Sequence, residues 1–91
     1  MKPLKFSPNV EKELREIQRQ NVKFYNRIQK QIYLFINNPR HKSLRLHKIK
    51  RQDNLNIWSI SIDKSFRMLY TEGDFIYFFE IGTHDEVYRK K

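Results

Sequence analysis

The hydrophobic period of this chain changes near its middle, and that change limits what it can fold into. In the first 36 residues the apolar positions recur at helical spacing: Val10, Leu14 and Ile17, then Phe24, Ile28, Ile32, Phe35 and Ile36. Such stripes predict two amphipathic helices. Past residue 45 the pattern alternates, in runs over Leu46–Lys50, Leu55–Ile62, Phe66–Glu72 and Phe75–Ile81, as strands with one buried face do. Trp58, Ile60 and Ile62 then face one way. Leu4-Lys5-Phe6-Ser7 adds a short alternating segment at the start. The predicted order is β-α-α-β-β-β-β. Helices grouped early and strands grouped late imply an α+β fold, with two N-terminal helices packed on a mainly antiparallel sheet of four or five strands.

Punctuation supports these boundaries. Ser7-Pro8 is a helix start, with serine as the cap and proline at the first helical position. Glu11 and Arg15 form a favourable pair one helical turn apart. Asn21 breaks and recaps the chain, and Asn37-Asn38-Pro39 ends the second helix. Glu72-Gly73-Asp74 is a hairpin loop. The tail from Gly82 to Lys91 is predicted as a short extended or helical end. At 91 residues the chain is one domain, 1–91, without internal repeats or linkers. It contains no cysteine, so neither disulfides nor thiolate metal chemistry is available to it. No apolar run approaches the ~20 residues of a membrane span, and a cytoplasmic protein is expected.

Charge is concentrated in one segment. The formal net charge is +9, and from Ile17 to Gln52 there is neither Asp nor Glu. Ten cations lie in that stretch: Arg19, Lys23, Arg27, Lys30, Arg40, Lys42, Arg45, Lys48, Lys50 and Arg51. Lys23, Arg27 and Lys30 share a helix face away from the apolar stripe. A solvated face kept for solubility is one explanation, but mixed signs serve solubility equally well. The segment predicts a footprint for phosphates or for an acidic protein segment.

Several chemistries lack their motifs. Only Gly73 and Gly82 are present, so there is no phosphate-cradling glycine loop. The three histidines are not spaced as metal ligands, and no Ser-His-Asp set is legible. Neither metal nor cofactor is expected. Basic groups, imidazoles and tyrosines on a sheet suit metal-independent cleavage of RNA. In that reaction the 2′-hydroxyl attacks phosphorus, which requires a base, an acid and a cation facing the phosphoryl oxygens. Histidine titrates near neutral pH, arginine matches phosphate, and aromatic rings stack on unpaired bases.

The segments Phe66-Arg67-Met68-Leu69-Tyr70 and Phe78-Phe79-Glu80-Ile81-Gly82-Thr83-His84-Asp85-Glu86-Val87-Tyr88 resemble the C-terminal half of the RelE/ParE superfamily of toxin–antitoxin toxins. Ile36-Asn37-Asn38-Pro39, Leu44-Arg45-Leu46-His47-Lys48-Ile49 and Leu55-Asn56-Ile57-Trp58-Ser59-Ile60 fit the same pattern, so the resemblance covers nearly the whole chain. It implies a ribosome-dependent endoribonuclease of the RelE/YafQ-like branch, cutting mRNA in the A site and neutralised by a cognate antitoxin. ParE-type members share the fold and inhibit DNA gyrase. A degenerate member that only binds RNA or antitoxin is a further alternative.

Carried over by residue, the resemblance makes His47, Arg67, His84 and Tyr88 the candidate catalytic set. His47, or Lys48, would take the 2′-hydroxyl proton, Arg67 would face the phosphoryl charge, and His84 would protonate the leaving oxygen. Tyr88 would hold a base or assist. Each has a plainer reading: Arg67 in a salt bridge with Glu80 or Asp63, His84 as a cap, Tyr88 as a lid aromatic, His47 as a surface histidine. Asp85 either orients His84 or caps the tail. His41 is expected in a structureless loop, where it could touch rRNA. Lys23, Arg27, Lys30, Arg45, Lys48, Lys50 and Arg51 are the candidate RNA-binding residues. Some branches place a glutamate base between Leu46 and Trp58; here that region has only Asp53. Expected partners are an antitoxin, mRNA and the ribosome, with oligomers arising only through the antitoxin complex.

Overall fold

The computed structural model describes residues 2–50 and 56–89. In chain order the elements are strand β1 (Leu4–Phe6), helices α1 (Pro8–Gln20) and α2 (Val22–Asn37), a 3₁₀ turn (Lys42–Leu44), strands β2 (His47–Ile49), β3 (Ile57–Ser61), β4 (Phe66–Glu72) and β5 (Ile76–Thr83), and helix α3 (His84–Arg89). The sheet order is β1-β5-β4-β3-β2. Strands β2 to β5 pair antiparallel, and β1 joins β5 parallel, so the sheet is mixed only at one edge.

The caps form as the sequence implies. Ser7 Oγ accepts from the Val10 amide at 3.1 Å, with Pro8 opening α1. Asn21 closes α1 through its own amide and opens α2, its Oδ1 accepting from the Phe24 amide at 3.1 Å. One residue thus satisfies orphan groups of two helices, and the chain turns there without a loop.

Both helices lie on one face of the sheet. Val10, Ile28, Ile32 and Phe35 pack against Ile60, Ile62, Met68, Tyr70, Ile76 and Phe78. Phe35, Tyr70 and Phe78 form an aromatic triangle with centroids 5.2–5.8 Å apart. The aromatic rings of these strands are therefore mostly core.

One irregularity makes this face possible. Phe78 and Ile81 both pack toward the helices although three residues apart, which a regular strand forbids. The register shifts between Leu69 and Tyr70, leaving Phe79 as the extra residue on β5. Such a bulge flips the alternation. Beyond it, Gly82 pairs with Arg67 and Glu80 with Leu69.

Three details differ from the sequence reading. Ile36 is 43% exposed rather than buried, since the stripe of α2 drifts off the core in its last turn. His41 is not in a structureless loop: its Nδ1 accepts from the Ser43 amide at 3.1 Å and caps the 3₁₀ turn. The segment Leu46–Lys50 is strand only over His47–Ile49. Of the two forms expected for the tail, extended or helical, the structure has the helix, α3. Arg51, Asp53 and Leu55 lie outside the described residues. Among the described residues no helix is long and apolar enough to cross a membrane.

Candidate active site

The second face of the sheet carries the polar residues. Alternation along β2, β3 and β4 puts His47, Ser59 and Arg67 there, and α3 folds back over it. Thr83-His84-Asp85-Glu86 is a capping box: the Thr83 amide donates to Glu86 Oε1 at 2.7 Å, and the Glu86 amide to Thr83 Oγ1 at 3.2 Å. Val87 then drops into a small apolar cluster with Ile57 and Leu69. Gly82 lets the helix lie this close, since a Cβ there would stand 3.0 Å from Glu86 Oε1. One residue after Val87, Tyr88 reaches the polar row.

Arg67 is only 7% exposed. Its Nε donates to Ser59 Oγ at 2.5 Å, and its Nη2 to the Arg45 carbonyl at 2.9 Å. The proposed salt bridge to Asp63 or Glu80 is not what holds it. Asp63 Oδ1 instead accepts from the amides of Ser65 and Phe66, both at 2.8 Å. Burial lowers the Arg67 pKa; Tyr88 opposes that fall and Arg45 adds to it. Arginine remains a cation under these conditions, so a buried positive charge faces the row, and among the described residues no carboxylate pairs with it.

His47 and Tyr88 complete a ring of contacts. The Arg45 carbonyl lies 3.1 Å from His47 Nδ1, and Tyr88 Oη lies 2.8 Å from His47 Nε2. A carbonyl can only accept, so Nδ1 carries hydrogen and the 3.4 Å approach of Arg67 Nη2 to Nδ1 joins two donors that share one acceptor. In the neutral ring Nε2 is then a free base. Tyr88 Oη also stands 3.0 Å from Ser59 Oγ. The phenol has one hydrogen, which it gives to Ser59 Oγ in this geometry. When Nε2 carries a proton, it donates to Tyr88, and Tyr88 donates to Ser59.

The Arg45 carbonyl depends on an unusual backbone. Arg45 sits in the left-handed region at φ 46, the one positive φ among the described residues. Such a conformation costs a non-glycine residue about 1 kcal/mol or more. It turns the carbonyl inward, where it collects donors from both Arg67 and His47.

His84 is at the first position of α3, and its ring meets Tyr88 edge-on with centroids 4.2 Å apart. Its Nδ1 is 3.8 Å from Asp85 Oδ1, beyond hydrogen-bond reach, and both side chains are exposed. The Arg67 guanidinium carbon stands 6.0 Å from the Tyr88 ring centre. Tyr88 is therefore the hub that gathers His47, Arg67 and His84, which are distant in sequence.

The other predicted residues divide. Lys48 points to the opposite face, with Nζ 5.9 Å from the Trp58 ring centre, so it is not an alternative to His47 in the ring. Lys50 is exposed. Lys23 lines a shallow cleft with Arg27, and Arg27, Lys30 and Arg45 line a larger cavity. Two participants were missed from sequence. Ser59 shows only as a polar residue in an apolar strand, and the Arg45 carbonyl leaves no trace in side-chain chemistry. Among the described residues no group of three metal-ligating side chains occurs.

Comparison with known proteins agrees with this architecture. The family model for the ParE toxin of type II toxin–antitoxin systems matches residues 4–88. The fold superimposes on YafQ from an E. coli DinJ–YafQ complex with a TM-score of 0.75 at 18% identity, covering 97% of this chain and 99% of that one. A YoeB/ParE toxin from Agrobacterium tumefaciens gives 0.72 at 20% identity, over 92% of this chain and 99% of the other. YoeB from a Staphylococcus aureus dimer gives 0.70 at 22% identity, over 91% and 97%. No curated protein is significantly similar in sequence. The chain belongs to the ParE toxin family of type II toxin–antitoxin systems, within the RelE/ParE superfamily.

Proposed function

We propose that this toxin is an endoribonuclease that cleaves mRNA, with the ribosomal A site as its place of action. The observation that carries this reading is the convergence of His47, Arg67 and His84 on Tyr88. A protein that acts only by binding needs no such set of base, acid and cation.

The chemistry follows from the ring. His47 Nε2 takes the proton of the 2′-hydroxyl as Tyr88 yields its place to substrate. The 2′-oxygen forms a bond to phosphorus while the bond from phosphorus to the 5′-oxygen breaks. Arg67, pre-positioned by Ser59 and the Arg45 carbonyl, faces the charge that builds on the phosphoryl oxygens. Protonated His84 gives its proton to the leaving 5′-oxygen. The products are a 2′,3′-cyclic phosphate and a free 5′-hydroxyl. Because the base must be neutral and the acid protonated, the rate passes through a maximum in pH.

The cognate partner is an antitoxin with an acidic segment, complementary to the basic stretch. Relatives of this fold occur in complexes named YoeB–YefM and DinJ–YafQ. A second reading is inhibition of DNA gyrase, favoured by the match to the ParE model. In-vitro translation with primer extension separates the two. Codon-centred cuts by wild type that disappear with Arg67→Ala and with His84→Ala are the expected outcome. Intact mRNA together with blocked gyrase supercoiling would decide for the second reading.

A further inference from the structure

Between the middle of α2 and the end of β3, beside the ring around Tyr88, is a cavity of about 610 Å³. Four cations line it: Arg27, Lys30, Arg45 and Lys64. Among the described residues none of the four is ion-paired with a carboxylate. The single acid on the wall is Asp63, and two backbone amides already occupy its Oδ1. The walls are joined firmly. Gln31 Nε2 donates to the Ser61 carbonyl at 2.8 Å, and Arg27 Nε to the Ile62 carbonyl at 3.0 Å. Four exposed cations therefore share this wall with one carboxylate, and among them Arg27 is tied to the strand end by its hydrogen bond to Ile62.

Arg45 belongs to both places. Its carbonyl accepts from Arg67 and His47, while its side chain lines the cavity. Ser61 lines the cavity as well, and it is the register partner of Arg67 on β4. Ser59 and Ser61 are two residues apart on one strand, about 7 Å along it. A strand with one phosphate on Arg67 would meet the cavity at the next step of its backbone.

We propose that this cavity is a second phosphate subsite, which holds the backbone of single-stranded RNA beside the scissile phosphate. The proposal rests on the nuclease reading for the identity of its ligand. An acidic protein segment could also satisfy the charge. The continuity through Arg45 favours RNA, because the same residue orders the cationic group assigned to the scissile phosphate.

The probe is a fluorescent single-stranded RNA with 2′-O-methyl groups throughout, which lacks the attacking hydroxyl. Its affinity is measured by anisotropy between 50 and 200 mM salt. The double variant Lys30→Gln/Lys64→Gln should flatten the plot of log affinity against log salt by about 0.7 for each phosphate contact removed. Lys12→Gln, an exposed change on α1, should leave the slope of wild type. An unchanged slope in the double variant overturns the subsite, and so does wild type that fails to bind the probe at 50 mM salt. Loss of polyglutamate binding with RNA binding retained would overturn it in favour of an acidic segment. Wild type that cleaves RNA while the double variant keeps the slope sinks the subsite alone. A flattened slope in a protein that cuts no mRNA sinks the nuclease reading and overturns the placing beside a scissile phosphate, leaving a site for RNA phosphate alone.

Discussion

The two faces of the sheet were built to different rules. Toward α1 and α2 the strands present Ile60, Ile62, Met68, Tyr70 and Phe78, all at most 4% exposed, and rings that fit against Phe35. Toward α3 they present His47, Ser59 and Arg67, and among the described residues a helix of six residues folds over them. The first face gains its stability from burial, and its residues could be exchanged for others of like volume. The second face links His47, Ser59, Arg67 and Tyr88 through a single closed ring, where position matters more than area. The first face is wholly an apolar core, whereas the second sets a small apolar cluster of Ile57, Leu69 and Val87 beside a ring of polar contacts that holds a buried cation.

That contrast can be broken deliberately. Phe35→Ala removes the ring at the centre of the helix-covered face and should cost about 3–5 kcal/mol in denaturant unfolding. RNA cleavage per folded molecule should stay unchanged; a specific loss of activity in folded protein would show that the faces are coupled. Tyr88→Phe deletes the hydroxyl that joins His47 to Ser59. It should lower cleavage by about 10²-fold, at the lower end of acid–base contributions, with little change in the unfolding midpoint. Equal cleavage by both proteins would remove Tyr88 from the chemistry. Thr83→Ala breaks the capping box of α3 and should cost about 1 kcal/mol, read as earlier hydrogen exchange in residues 84–89.

The smallest effect concerns pH. Burial, with Glu72 adding and Arg40 opposing, pushes the Tyr70 phenol up to about 12. A folded pKa raised above the unfolded value near 10 stabilises the fold below pH 10, and that contribution is lost as pH rises toward 12. Tyr70→Phe should therefore flatten the alkaline limb of the stability profile between those values. An alkaline limb identical to wild type would place the titration elsewhere.

Much of the fold was legible in residue order. The helical stripes, the Ser7 and Asn21 caps and the strands built around Trp58, Phe66 and Phe78 follow from periodicity and local hydrogen bonding, which act over a few residues. The parallel pairing of β1 with β5 was not legible, because a three-residue strand has no local signal for its partner. Ile36 was misplaced because a stripe of period 3.6 does not say where a helix runs past the end of its core. The helix at the tail could have been found, since Thr83-His84-Asp85-Glu86 is a capping-box sequence.

The sequence by itself determined the α+β class, the acid-free basic segment and the residue types available for phosphate chemistry. Tertiary structure decided which of them meet. Only the pairing of β2 with β3, the bulge at Phe79 and the close approach of α3 over Gly82 bring positions 47, 59, 67 and 88 to one spot. The physical reason is range. Periodicity and capping are short-range effects written in neighbouring residues, whereas the ring depends on strand register and on a left-handed turn at Arg45, which belong to the folded chain as a whole.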